Sequence, residues 1–246
     1  MKNEKYVKDY FRSDNTVANW WNPTLGDYAH IFKKEELIVK NWFQGKNISS
    51  CLEVSCGKGR ITKLLHNLCI DYLATDISPQ MLSIAQKNVP NAHFRIEDAE
   101  SLSFDCESKD AIICLEALVH YPNPEKALAE FYRVLKPEGI LVLDSDNSNS
   151  LRRIVKKIYG RQELGEDIFQ PYSRKAFLSM INNSGFSVEK LNYVGVISPI
   201  RIHKKNAPEN YIIDEKLSIR LQNLRLDNIP ILNRLSTYHL VLAKKR

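Results

Sequence analysis

The sequence predicts an α/β fold: a doubly wound, seven-stranded, mostly parallel sheet whose last strand runs antiparallel, with a helical N-terminal cap and a C-terminal insert. Three observations predict it. Between Ile48 and Asp146, apolar runs of the length of a buried strand alternate with helical segments, and that alternation requires parallel pairing through right-handed crossovers. The first run, Cys51 to Ser55, feeds a small-residue loop holding Gly57 and Gly59, with a helical segment behind it. A strand ending this way presents backbone N–H groups and a helix N-terminus to a ligand. Two further strands, Phe186 to Val194 and Thr237 to Ala243, follow the alternating part and suit a late hairpin added to the sheet.

In chain order, residues 1–47 are expected to form the cap. All three tryptophans lie there, Trp20, Trp21 and Trp42, together with Tyr6, Tyr10, Phe11, Tyr28 and Phe32. Aromatic faces over the mouth of a ligand site can hold an apolar or aromatic small molecule, and Trp21 and Tyr28 are the chosen candidates. Packing of an amphipathic helix on the sheet edge accounts for many of the others. Residues 48–246 form the second unit. Its first five strands are Cys51 to Ser55, Tyr72 to Thr75, His93 to Ile96, Ala111 to Leu115 and Ile140 to Leu143. Ser78-Pro79 starts a helix, with serine as cap and proline at the first helical position, and Met81, Leu82, Ile84 and Ala85 line its apolar side. Asn123-Pro124 starts another, with Ala127, Leu128, Phe131, Val134 and Leu135 at helical spacing, and Lys136-Pro137-Glu138-Gly139 turns it into the next strand. Ser173 to Asn183 reads as a helix ended by Gly185.

Two segments, 147–172 and 195–236, read as lids, since inserts of that size are often functional covers. Within the first, Leu151, Ile154, Val155 and Ile158 fall on one helical face and Arg152, Arg153, Lys156 and Lys157 around the other. A solvated lid helix is the preferred reading over contact with phosphates or an anionic membrane.

Composition narrows the function classes. A chain of 246 residues, 43% hydrophobic, can bury a substantial core. No run reaches the roughly 18 apolar residues needed to span a bilayer, and MKNEKYVKDYFRSDN has no apolar signal-peptide centre. A cytoplasmic protein with no stable membrane insertion is expected. The five cysteines (Cys51, Cys56, Cys69, Cys106, Cys114) form no Cys-x-x-Cys pair, so neither a zinc site nor a disulfide framework is expected. A net charge of +6 permits an anionic partner without requiring one.

A Gly-x-Gly loop alone says little. Asp76 strengthens it, because a carboxylate closing the next strand can accept both hydroxyls of a ribose. In this context the segments LEVSCGKGR, ATDISPQML, EDAESLSF and EFYRVLKPEGILVL resemble, in order and spacing, the first, second, adenine-side and strand-five motifs of class I S-adenosylmethionine-dependent methyltransferases. Ser55 departs from the pattern, standing where the family usually has its first loop glycine.

The resemblance implies S-adenosylmethionine as cofactor, S-adenosylhomocysteine as product and a Rossmann-like methyltransferase fold. It places Glu53, Ser55, Gly57 and Gly59 around the methionine portion, Asp76 on the ribose, and Ile77 and Met81 against adenine. Asp98 would accept from the adenine amino group, the Ala99 amide would donate to a ring nitrogen, and Leu115 would lie near the sulfonium.

Methyl transfer is an in-line displacement in which positioning supplies most of the acceleration. His120, following the fourth strand, is the candidate base, and Glu116 beside it the candidate contact to acceptor or cofactor. Glu116, Asp146 and Asn147 bear a distant likeness to the acidic triad of metal-dependent catechol methyltransferases, yet loop Asp-Asn pairs are usually turn formers, and no metal is expected. The partner is expected to be a small-molecule acceptor. Neither an appended RNA module nor an Asn-Pro-Pro-aromatic motif stands after strand four, so no nucleic acid is expected.

Two rivals remain. A nicotinamide-dependent oxidoreductase would use a similar loop, but the third small residue of its fingerprint falls at Thr62. A catalytically inactive S-adenosylmethionine-binding protein would keep the fold and lose turnover.

Overall fold

The computed structural model describes residues 4–13, 28–158, 169–202, 210–222, 224 and 226–246. Trp20, Trp21 and Tyr159 lie outside them. In chain order the elements are α1 (Glu4–Ser13), α2 (Ala29–Phe43), β1 (Ser50–Val54), α3 (Arg60–Leu65), β2 (Asp71–Asp76), α4 (Pro79–Asn88), β3 (His93–Ile96), β4 (Lys109–Cys114) and α5 (Pro124–Val134). There follow β5 (Leu135–Asp146), α6 (Leu151–Ile158), α7 (Arg174–Asn183), β6 (Phe186–Val194), β7 (Ile200–Ile202), β8 (Asn210–Ile213), α8 (Glu215–Gln222) and β9 (Tyr238–Lys245).

Seven strands form one sheet in the order β3-β2-β1-β4-β5-β9-β6. The first five run parallel, whereas β9 is antiparallel to both β5 and β6. This is the fold class the sequence predicts. Alternate residues of the central strands feed two apolar layers. Leu52, Val54, Ile112, Cys114, Leu141 and Leu143 pack beneath Leu128 and Phe131 of α5 and Phe177 of α7. On the other face Cys51, Ala74, Ile113 and Val142 pack beneath Val39 and Trp42 of α2 and Leu65 of α3. Trp42 is therefore a core residue.

Local chemistry explains the helix ends. Ser78 caps α4 by accepting from the Met81 amide, with Pro79 at the first turn. Ser173 caps α7 in the same way through Ala176. Asn123 precedes Pro124, but its side chain makes no cap bond.

One expectation needs correction. The Lys136–Gly139 turn lies inside β5, where Glu138 has φ 61 and the register against β4 shifts, so the strand is longer at both ends than its apolar centre suggests. In α6 no residue is fully buried. Ile154 and Ile158 are exposed, while the Arg152 and Arg153 guanidiniums stack over the rings of Tyr28 and Phe169 at 5.2 and 4.9 Å. A weakly hydrated planar cation packs well on an aromatic face.

The segment after β6 packs on α2: the Tyr28 hydroxyl donates to the Pro199 carbonyl at 3.1 Å, His30 lies 3.0 Å from the Ser218 hydroxyl, and Lys34 pairs with Asp227. Among the described residues, no helix is long and apolar enough to cross a membrane.

Candidate cofactor and acceptor site

The loop after β1 is left-handed at three positions, Ser55 (φ 58), Gly57 (φ 54) and Gly59 (φ 81). Gly59 has a steric reason as well, since a Cβ there would lie 3.3 Å from the Ala85 Cβ of α4. At Gly57 a Cβ would meet nothing within 4 Å, so that glycine borders open space a ligand can approach closely. Ser55 carries a side chain into a conformation glycine would adopt more easily, and its hydroxyl lies 2.8 Å from the Tyr121 hydroxyl.

Asp76 closes β2 and faces this loop. Its Oδ2 accepts from the Gly57 amide at 2.8 Å and its Oδ1 from the Ser78 amide at 2.9 Å. Burial raises its pKa against the pull of those amides and that of Ile77. Each carboxylate oxygen has two lone pairs, so Asp76 fixes the loop and retains acceptor capacity for a diol.

Glu53 does not bind the loop amides. Its Oε2 accepts from the Thr62 hydroxyl at 2.5 Å and the Tyr72 hydroxyl at 2.8 Å, tying α3 to β2 beneath the loop. Burial pushes its pKa up to about 7, against those two hydrogen bonds. Thr62, the position that would need to be small in a dinucleotide fingerprint, is fully buried and committed to this bond.

On the adenine side, Met81 is buried and packs with Tyr10, Phe11 and Ile84. Ile77 is half-buried and Ala99 buried. Asp98 accepts from the Glu100 amide through Oδ1, while its Oδ2 lies 2.9 Å from Lys8 of α1. Lys8 also reaches Glu4 and Glu100, both at 3.0 Å. Helix α1 thus lies across the residues assigned to adenine, through Lys8, Tyr10 and Phe11. The sequence carries no local signal for the Lys8 contacts, because the carboxylates come from a distant loop.

Leu115 directly follows β4 and is buried. Glu116, next in the chain, has φ 59, and its amide donates to Asp144 Oδ1 at 2.7 Å. One carboxylate oxygen each from Glu35, Glu116 and Asp144 lie within 4.8 Å of one another. Burial pushes the Glu116 and Asp144 carboxyls well above the usual range, with repulsion from Glu35 and Asp146 adding to it on both, while hydrogen bonding from Glu116 pulls Asp144 the other way. Glu35 was not foreseen. Its signal is its place at helical spacing between Ile31 and Val39, a charge on a buried stripe. Asn147 does not join this group: its amide nitrogen donates to the Arg234 and Ser236 carbonyls, and its oxygen accepts from Asn149.

His120 closes a 3-10 turn, Leu118–His120, with its ring beside those of Phe11 at 5.3 Å and Phe169 at 5.5 Å. It stands among aromatic rings, whereas Glu116 lies in the acidic group. Tyr28 sits at the junction of α2, α6 and the segment after β6. Trp21 lies outside the described residues.

Residues 52–143 match the family model described as Methyltransferase domain. The chain is 33% identical over 145 residues to an uncharacterized methyltransferase-like protein of Schizosaccharomyces pombe, covering 56% of each chain. It is 39% identical over 119 residues to the phthiotriol/phenolphthiotriol dimycocerosates methyltransferase of Mycobacterium leprae, covering 46% of this chain and 42% of that one. A ubiquinone biosynthesis O-methyltransferase of Coxiella burnetii is 24% identical over 145 residues, covering 54% and 59%. The chain spans about half the length of the curated relatives it matches.

Among solved structures, magnesium protoporphyrin IX methyltransferase from Synechocystis with bound SAH superposes with TM-score 0.66 at 16% identity, covering 99% of this chain and 100% of that chain. The [4+2]-cyclase SpnF superposes with TM-score 0.61 at 16% identity, covering 92% and 85%. At these identities the likeness is one of fold. A methyltransferase domain at residues 52–143 does not favour the nicotinamide alternative.

Proposed function

We propose that this protein is an S-adenosylmethionine-dependent methyltransferase acting on an oxygen, nitrogen or carbon atom of a small-molecule acceptor in the cytoplasm. The observation that carries the reading is Asp76, whose two oxygens brace Gly57 and Ser78 at the point where the glycine loop leaves open space. That arrangement suits a molecule with a diol at one end and charged groups at the other. The cytoplasmic setting is supported by five free cysteines, four of them buried.

In this reading Ser55, Gly57 and Gly59 surround the methionine portion of the cofactor, with Glu53 holding the floor beneath. Asp76 takes the ribose hydroxyls, Ile77 and Met81 flank adenine, and Asp98 and the Ala99 amide read its edge. Leu115 borders the sulfonium. When bound, the cofactor supplies an electrophilic methyl group.

The chain's own contribution is placement and exclusion of water. Helix α1 covers the adenine side, Tyr28 and Trp21 hold the acceptor, and Glu116 contacts it. His120 takes a proton where the acceptor has one to lose. The test is incubation with methyl-labelled cofactor and a fractionated small-molecule extract, followed by mass spectrometry. Label in a new product is expected. Cofactor binding with no labelled product across all fractions would make the chain a binding protein, and catalysis would be rejected.

A further inference from the structure

We propose that Glu35, Glu116 and Asp144 form a site for one hard divalent cation at the carboxyl edge of β4 and β5. Their three oxygens lie within 4.8 Å of one another. Oxygen ligands of magnesium or calcium stand about 2.0–2.6 Å from the ion, so ligands on opposite sides are roughly 4–5 Å apart. An all-carboxylate set favours magnesium, manganese or calcium over zinc, which prefers nitrogen and sulfur.

Two observations beyond the clustering point to a ligand. Glu116 Oε1 and Asp144 Oδ2 are shielded from solvent and accept no hydrogen bond, and Asp144 is 1% exposed. Orphaned buried carboxylate oxygens carry a large desolvation cost that a cation removes. The charge balance agrees. Arg60 is bonded to Glu35 at 2.5 Å and Glu36 at 3.3 Å, so with Glu36 counted four carboxyl groups stand near that one guanidinium, an acidic excess that a divalent ion reduces. The site differs from the Glu116, Asp146 and Asn147 set weighed from the sequence, because the Asn147 side chain is committed to backbone groups.

The test uses the full chain, stripped with chelator, dialysed and titrated with manganese while the paramagnetic signal of the free ion is followed. Manganese should bind at one equivalent per chain, be displaced by magnesium, and raise the melting temperature. Asp144→Asn, which keeps an acceptor for the Glu116 amide, should weaken binding by about 10-fold or more, and Glu116→Gln should do the same if the first variant fails to fold. Asp110→Asn, at the other end of β4, should leave the manganese affinity unchanged. A manganese signal that stays fully aqueous at millimolar concentration would overturn the site and leave the two carboxyls sharing a proton. Binding that persists undiminished in both variants would also overturn it. The readout is metal binding, so its failure is separate from any failure of the proposed methyl transfer.

Discussion

The Ser55 hydroxyl lies 2.8 Å from the Tyr121 hydroxyl, and that phenol oxygen lies 3.1 Å from Cys114 Sγ. The bond ties the glycine loop to the segment after β4 at the one loop position where a side chain occupies a left-handed conformation. Strain and hydrogen bond are each worth about 1 kcal/mol and oppose one another. Ser55→Gly is therefore expected to leave stability within about 1 kcal/mol of wild type. Ser55→Ala keeps the strain and loses the bond, and should be less stable than Ser55→Gly by about 1 kcal/mol. A double-mutant cycle with Tyr121→Phe in urea denaturation measures the coupling.

Gly57 and Gly59 should separate binding from folding. Gly59→Ala meets Ala85 at 3.3 Å with φ 81 and is expected to cost about 2 kcal/mol of stability. Gly57→Ala carries a left-handed penalty of about 1 kcal/mol, but its Cβ enters open space. Its larger effect should be a loss of about 10-fold or more in affinity for S-adenosylhomocysteine. Thermal melts and calorimetry on the two variants check the contrast.

His239 is fully buried on β9, stacked on Phe177, and neither ring nitrogen has a hydrogen-bond partner. Burial, with Arg174 adding to it, lowers its pKa from 6.5 to about 4. The unfolded chain takes up a proton that the folded chain refuses, so the contribution to stability is full above pH 6.5 and is lost as the pH falls toward 4. The loss is about 3 kcal/mol. His239→Leu should remove that acid slope and gain about 1 kcal/mol at neutral pH by deleting the unpaired nitrogens.

Glu53 gives the opposite slope. With its pKa raised from 4.5 to about 7, its folded form holds a proton that the unfolded form releases, and stability falls as the pH rises through that window. The drop is again about 3 kcal/mol. Glu53→Gln keeps an acceptor for Thr62 and Tyr72, so its advantage over wild type should grow between pH 4.5 and 7. Because the Glu53 and His239 slopes oppose each other between pH 4.5 and 6.5, each is visible only as a difference from wild type in parallel urea titrations.

The centre of the sheet was readable because β1 and β4 are buried on both faces and so register as apolar runs. His93–Ile96 and Phe186–Val194 match β3 and β6 residue for residue. The end of β5 was not readable: Asp144, Ser145 and Asp146 look like loop residues, and only pairing with Leu240, His239 and Tyr238 of β9 makes them strand. Glu35 shows the same limit in the site. Its neighbours Lys33, Lys34 and Glu36 give it the look of a solvated run, and only tertiary packing brings it to Glu116 and Asp144. Asp76 and the glycines were legible because their chemistry is local, set by one strand end and one turn.

The most direct test of the account is a calorimetric titration of the full chain with S-adenosylhomocysteine, with Asp76→Asn in parallel. The account predicts one site per chain in the wild type and affinity reduced by about 10-fold or more in the variant, since a neutral amide is a poorer acceptor for a diol and for the Gly57 amide. No heat with the wild type, or equal affinity in the two proteins, would contradict it.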